Sequence, residues 1–236
     1  MADRPQWHTV VGGARQYVRK MLPVIADKRL NTPVRAVRRL PAGGGTAGVE
    51  VVTDSGTERF DEVVLAGHSD QNLALLPDAS ADERAVLGAI GYHPNRAVLH
   101  TDTAVLPRRR LAWAAWNYER AASAGREQAA VCLHYLINRL QPLPWSQPVV
   151  VSLNPDPKAM PDPAQVLGSF EYSHPVFDLA AIQAQQELPA LQGRSHVWFC
   201  GAWTRYGFHE DGLVSALDVT ERLRRSWQQQ GDRVAA

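Results

Sequence analysis

Two cysteines in 236 residues, Cys132 and Cys200, are too few and too far apart for a disulfide framework, and their spacing matches no metal-binding pattern. They read as buried thiols of a reducing compartment, which makes the cytoplasm the expected address. No apolar run approaches the roughly 20 residues of a membrane span. The start, Met1-Ala2-Asp3-Arg4-Pro5, lacks the apolar stretch of a signal peptide. Charge of one sign is missing too. Twenty-five basic residues face 24 acidic ones, a net of +1, so no global field draws nucleic acid or an anionic membrane. The only basic run, Arg108-Arg109-Arg110, reads as a solvated turn. No serine sits on a nucleophile elbow, Ser215 included, and no internal repeat appears. What is present is an ordinary globular composition, 45% hydrophobic and 21% charged.

The chain opens with a strand-like run from Trp7 to Val11. Gly12-Gly13 then leads into a helix with Ala14, Tyr17, Val18, Met21, Leu22 and Ile25 at helical spacing, which predicts one buried face, with Pro23 kinking or ending it. Three strand-like runs follow, Val34 to Leu40, Val49 to Thr53 and Arg59 to Ala66. They predict a β-meander in which Val63-Val64-Leu65 is buried. Ser69 is placed to cap a short helix, and Ser80 with Glu83 forms a capping-box pattern for the next. From Arg96 to Ser173 the aromatic and β-branched content predicts a mixed or antiparallel sheet, its strands separated by proline-rich links. A helix from Asp178 to Leu191 is expected to bury Leu179, Ile182 and Leu188. A strand from His196 to Gly201, a loop, and a helix from Gly212 to about Gln228 close the pattern. That helix is expected to bury Leu213, Ala216, Leu217, Thr220, Leu223 and Trp227. The order is α/β, then mostly β, then α/β. It predicts one domain built from residues 1–70 and 191–236, with residues 71–190 inserted as a second domain.

Gly43-Gly44-Gly45-Thr46-Ala47-Gly48 satisfies G-x-G-x-x-G in letters only. A dinucleotide fingerprint needs a helix after the last glycine, whereas Val49-Glu50-Val51-Val52-Thr53 alternates like a strand. The match belongs to a hairpin loop. The segment from Val197 to Leu223 carries more. A buried strand, Val197-Trp198-Phe199-Cys200, ends at Gly201 and Ala202, whose small side chains let another molecule approach the backbone. A loop with aromatics and Arg205 leads to Glu210-Asp211-Gly212 at the start of a long helix. Its first N–H groups and positive dipole end suit an electron-rich ligand atom. A plain strand–loop–helix, with Asp211 only capping the helix, fits the same letters.

The run Val197-Trp198-Phe199-Cys200-Gly201-Ala202, followed by Gly207-Phe208-His209-Glu210-Asp211-Gly212-Leu213, resembles the C-terminal flavin-binding signature of the amine oxidase superfamily. Other motifs agree in order with bacterial NAD/FAD-binding proteins and FAD-dependent amine oxidases of that superfamily. They are Pro5-Gln6-Trp7, Gly12-Gly13, Asn31-Thr32-Pro33-Val34, Leu99-His100-Thr101-Asp102, Trp113-Ala114-Ala115-Trp116-Asn117, Asn138-Arg139-Leu140-Gln141 and His174-Pro175-Val176-Phe177. The resemblance covers nearly the whole chain. It implies FAD as cofactor, with Gly201 and Ala202 near the ribityl and pyrophosphate groups. It places Glu210, Asp211, Gly212 and Leu213 at the pyrimidine end of the ring and the ribityl chain, and His209 beside the ring. Val34 would meet adenine through its backbone, although it fits equally as the first core residue of a strand. Many amine oxidases carry an acidic residue where Ala202 and Trp203 stand here.

The resemblance also implies a fold: an α/β flavin-binding domain, formed from both chain ends and incomplete, carrying an inserted mixed or antiparallel substrate domain. Such a family opens with a strand, a glycine fingerprint and a helix, and no segment before Trp7 supplies them. The expectation is therefore a truncated or split product. Its function would be FAD-dependent removal of a hydride from an amine or from an acyl or isoprenoid-like chain. The alternative is an inactive remnant, or a subunit whose partner chain brings the missing half. A stand-alone binding module for apolar ligands is a third reading. No catalytic residue and no metal ligand is assigned. The aromatics Trp113, Trp116 and Tyr118 fit either a substrate cavity or the core of the inserted sheet.

Overall fold

The computed structural model describes residues 6, 8–41, 47–119 and 132–235, with side chains to residue 229. Pro5 and Trp7 of the first motif, the start of the Trp7 strand, and Gly43 to Thr46 of the hairpin loop lie outside the described residues. The chain divides into two compact units, Met1–Lys28 with Pro94–Ser173, and Arg29–His93 with His174–Ala236. Each consists of two separate stretches of sequence. The architecture is mixed α/β with mainly antiparallel sheets, as expected from the sequence.

The Arg29–His93 and His174–Ala236 unit holds a meander of β1 (Val34–Leu40), β2 (Gly48–Thr53) and β3 (Gly56–Phe60), paired antiparallel in the order β1-β2-β3. The third predicted strand splits. Its second half becomes β4 (Val63–Leu65), which leaves the meander and pairs in parallel with β10 (Val197–Phe199), Val197 opposite Val63 and Phe199 opposite Leu65. Only Leu65 of the predicted buried trio is fully buried; Val63 is half-buried and Val64 exposed. Parallel pairing joins segments more than 130 residues apart, which no local periodicity can report.

The helices of this unit are α2 (Ser69–Ala74), α3 (Ala81–Gly88), α4 (Leu179–Glu187) and α5 (His209–Ala235). The predicted Ser69 cap is not made. His68 occupies the N-cap position, while Ser69 is buried and its N–H donates to Tyr92 Oη at 2.8 Å. The predicted capping box is made. Ser80 Oγ accepts from the Glu83 N–H at 3.2 Å, and Glu83 Oε2 accepts from the Ser80 N–H at 2.8 Å. Ser80→Ala is expected to lower stability by about 1 kcal/mol in urea unfolding without changing the slope of the transition.

Two helix faces turn out rotated from their predicted positions. In α4 the buried residues are Ala181 and Ala184, with Leu188 just beyond, whereas Leu179 and Ile182 are exposed. Small alanines let the helix approach closely, and the larger neighbours remain outside. In α5 Ser215 and Val219 are buried, and Ala216 and Leu223 pack beside Val219 against Trp198 and Cys200. Leu213, Leu217, Thr220 and Trp227, predicted inside, are exposed. The main core joins Val37, Val49, Leu76, Val86, Leu87, Leu191, Val197, Phe199 and Trp203.

The Met1–Lys28 and Pro94–Ser173 unit is built on the sheet β6 (Trp116–Glu119), β7 (Cys132–Leu136), β8 (Val150–Leu153), β5 (Gly91–His100) and β9 (Val166–Val176), in that order. The pairings β6–β7, β7–β8 and β8–β5 are antiparallel. Leu106, Leu136 and Val150 form its core. Helix α1 (Arg15–Met21) ends at a 3-10 turn, Leu22–Val24, whose first turn holds Pro23. Its predicted buried face is absent: α1 buries no residue, and Val18, Met21, Leu22 and Ile25 are all exposed.

Candidate functional site

The β10-to-α5 connection is shaped by one backbone conformation. Gly201 has φ 148° and ψ 162°, a region open essentially to glycine alone. A Cβ there would stand 2.7 Å from Trp203 Nε1. That indole is buried and donates to the Gly67 carbonyl at 3.0 Å. The Gly201 N–H donates to Ser215 Oγ at 2.9 Å, and Ser215 Oγ donates to the Gly212 carbonyl at 2.8 Å. One serine thus ties the end of β10 to the first turns of α5. Gln185 holds the far side of the loop, donating to the carbonyls of Trp203 at 2.8 Å and Arg205 at 2.6 Å. Ser215 and Gln185 were invisible as site residues because their partners are backbone atoms brought near only by folding.

Of the residues assigned to the cofactor, the structure brings together those of this connection. Gly201 and Ala202 are half-buried, and a Cβ on Gly212 would meet Ala202 N at 3.8 Å. Asp211 Oδ2 accepts from the Phe208 N–H at 2.9 Å, closing the helix start. His209, Glu210 and Leu213 are exposed around that first turn. Val34 stands apart, at the end of the meander, where its residue pairs with Thr53.

Such an arrangement presents a narrow backbone strip beside an acidic helix start. Glu210 and Asp211 disfavour a phosphate at that turn and suit a ligand offering N–H and O–H donors. Polyol hydroxyls and a ring imide N–H are of that kind. Residues Gly201 to Leu213 therefore suit a donor-rich, uncharged ligand better than a phosphate.

The other unit contains a cavity of about 640 Å³, lined by Asp102, Leu106, Trp116, Asn117, Tyr118, Glu119, His134 and Met160 among others. Trp116 and Tyr118, both largely exposed, face it, so they line a cavity rather than fill the sheet core. Trp113 packs against the Leu106 core instead and donates from Nε1 to the Pro107 carbonyl at 2.7 Å. From the cavity wall a chain of polar groups runs inward, buried except at Glu119. His100 Nε2 lies 2.7 Å from Ser152 Oγ, which lies 2.6 Å from His134 Nδ1. His134 Nε2 lies 3.0 Å from Glu119 Oε2. Burial pushes the His100 imidazole below its usual pKa, against the pull of Asp102. The Asp162 N–H, at 2.9 Å, holds the Asp102 carboxyl below the ordinary carboxylate range, helped by the Ala104 N–H. Cys132 and Cys200 are both free and buried, and burial raises each thiol.

No family model matches the chain, and no curated protein matches it. Solved structures do match its fold. A CLA-producing fatty acid isomerase from P. acnes aligns with TM-score 0.62 and 15% identity, over 89% of this chain and 52% of that one. Putrescine oxidase bound to putrescine aligns with TM-score 0.58 and 14% identity, over 91% and 53%. Cyclohexylamine oxidase from Brevibacterium oxydans aligns with TM-score 0.54 and 13% identity, over 90% and 53%. The chain spans about half the length of these proteins. At such identities the likeness establishes a shared fold. Among the described residues no helix is long and apolar enough to cross a membrane.

Proposed function

We propose that this chain is the C-terminal portion of an FAD-dependent oxidoreductase of the amine oxidase type. The observation that supports this best is the β10–Gly201–α5 connection. It combines a glycine-only backbone with an acidic, exposed helix start, in a fold shared with putrescine and cyclohexylamine oxidases. Gly201 and Ala202 would face the ribityl chain, and His209, Glu210, Asp211, Gly212 and Leu213 the pyrimidine end of the ring. When bound, FAD supplies the two-electron acceptor for hydride removal from a C–H bond. The chain's own part is to position that ring. Ser215 and Gln185 hold the loop rigid, and Glu210 offers a carboxylate to N–H or O–H donors. Under the same reading, segments 1–70 and 191–236 belong to the cofactor domain and 71–190 to the substrate domain. Val34 would meet the adenine end. The substrate is a small amine or a lipid-like chain, matching the compounds named for the structural neighbours.

The exposed α5 residues Leu213, Leu217 and Trp227 and the exposed Val64 of β4 leave apolar surface for further protein to cover, and in a second version of the proposal that protein is a partner polypeptide supplying the phosphate-binding half. Titration of the purified chain with FAD, read by flavin fluorescence and thermal shift, separates the two. Binding by the chain alone supports autonomous cofactor capture. Binding only after co-expression with a glycine-fingerprint polypeptide supports the partnered form. No binding in either setting defeats the flavin reading.

A further inference from the structure

Three side chains that were 13 and 15 residues apart in sequence meet on the β6–β7 ladder. Glu119 pairs in register with Cys132, and His134 lies two residues further along β7, on the same face of the strand. His134 Nε2 lies 3.0 Å from Glu119 Oε2 and 3.5 Å from Cys132 Sγ, and Cys132 Sγ lies 4.0 Å from Glu119 Oε2. A tetrahedral zinc-type ion with ordinary bond lengths needs about 3.4 Å between its nitrogen and oxygen ligands, and about 3.6 Å from either to sulfur. The observed triangle departs from that face by no more than about 0.5 Å, within the reach of small side-chain rotations.

We propose that Glu119, Cys132 and His134 bind one divalent transition-metal ion of the zinc class. The ligand set of thiolate, imidazole and carboxylate suits a borderline-soft cation and not magnesium or calcium. Ser152 Oγ, at 2.6 Å from His134 Nδ1, orients the ring so that Nε2 faces the other two ligands. Metal-bound histidines are generally held through such a second ring nitrogen, most often by a carboxylate, a carbonyl or water, and here Ser152 takes that place. In the metal-bound state the imidazole is neutral, its proton on Nδ1 and donated to Ser152, and the Cys132 thiol proton leaves to solvent. Three protein ligands leave a fourth position. Glu119 and His134 both line the 640 Å³ cavity, so water or a polar group of a small molecule held there would complete the coordination. Cys132 and His134 are buried and Glu119 is half exposed, which gives the ion an entry route from the cavity side.

The test is Co²⁺ titration of the chelator-stripped full chain, followed by displacement with Zn²⁺. The expected result is one equivalent bound, with a thiolate-to-metal charge-transfer band that Zn²⁺ abolishes. The band should vanish in Cys132→Ser and persist in Cys200→Ser. Glu119→Gln, on the most exposed ligand, should keep the near-ultraviolet dichroism of the fold and weaken binding at least tenfold. Ser152→Ala should weaken it about 10–100-fold. Absence of the band in the wild-type chain, its survival in Cys132→Ser, or undiminished affinity in Glu119→Gln each overturns the assignment. None of these readouts involves flavin, so the outcome is independent of the proposed function.

Discussion

Arg39→Ala is expected to destabilise the chain by about 3–5 kcal/mol, the cost of leaving one member of a buried ion pair without its partner. The guanidinium of Arg39 bridges two carboxylates. One of its nitrogens meets Glu83, whose side chain is 4% exposed, and another meets Asp78 Oδ1 at 2.6 Å. The Arg39 N–H also donates to Asp78 Oδ2 at 3.1 Å. Removing the arginine leaves the buried Glu83 carboxylate with the Ser80 N–H as its remaining hydrogen bond. That remaining hydrogen bond places the expectation at the lower end of the range. The partners discriminate the cause. Glu83→Gln should recover much of the loss in the Arg39→Ala background, because no charge is then stranded. Asp78→Asn, at a site 41% exposed, should cost less than about 1 kcal/mol. Equilibrium urea unfolding of the three variants forms the comparison. Equal losses in Arg39→Ala with and without Glu83→Gln would show that the arginine acts through packing of its aliphatic stem.

Gly201→Val carries the second large effect, and it joins fold to function. Valine at φ 148° strains the backbone by roughly 1–3 kcal/mol. Its Cβ would displace the Trp203 indole from 2.7 Å and take away the hydrogen bond to the Gly67 carbonyl. A buried N–H left without an acceptor adds roughly 1–3 kcal/mol. The combined loss, roughly 2–6 kcal/mol, is a large share of the stability of an ordinary domain. Because the Gly201 N–H also anchors Ser215, the start of α5 should loosen with it. Under the flavin reading, Gly201→Val therefore lowers both the unfolding midpoint and FAD affinity. Ser215→Ala provides the milder companion. It removes the hydrogen bond without backbone strain, so it should weaken flavin binding while costing only about 1 kcal/mol of stability. Full FAD affinity in a folded Gly201→Val protein would separate the glycine from the cofactor.

Sequence by itself determined the local elements whose causes are local. The capping box at Ser80 and Glu83 needs only two residues three apart, and it is made. Strands β1 and β2 lie within one residue of their expected positions, because alternation and β-branching act over a few residues. The glycine turn after β10 and the helix after it were also legible, since a small residue at a strand end is a backbone requirement that the letters display. Tertiary structure decided everything that depends on who the neighbour is. The faces of α4 and α5 rotated because burial follows the closest available surface, Trp198 and Cys200 for α5, and not the widest apolar stripe. The apolar face of α1 has no fully buried residue. β4 abandoned the meander for a parallel partner far away in sequence. The candidate site followed the same division. The Gly201-to-Leu213 strip could be read from contiguous residues. Ser215, Gln185 and the Glu119–Cys132–His134 triangle could not, because a hairpin register and a loop fold, not sequence spacing, set their distances.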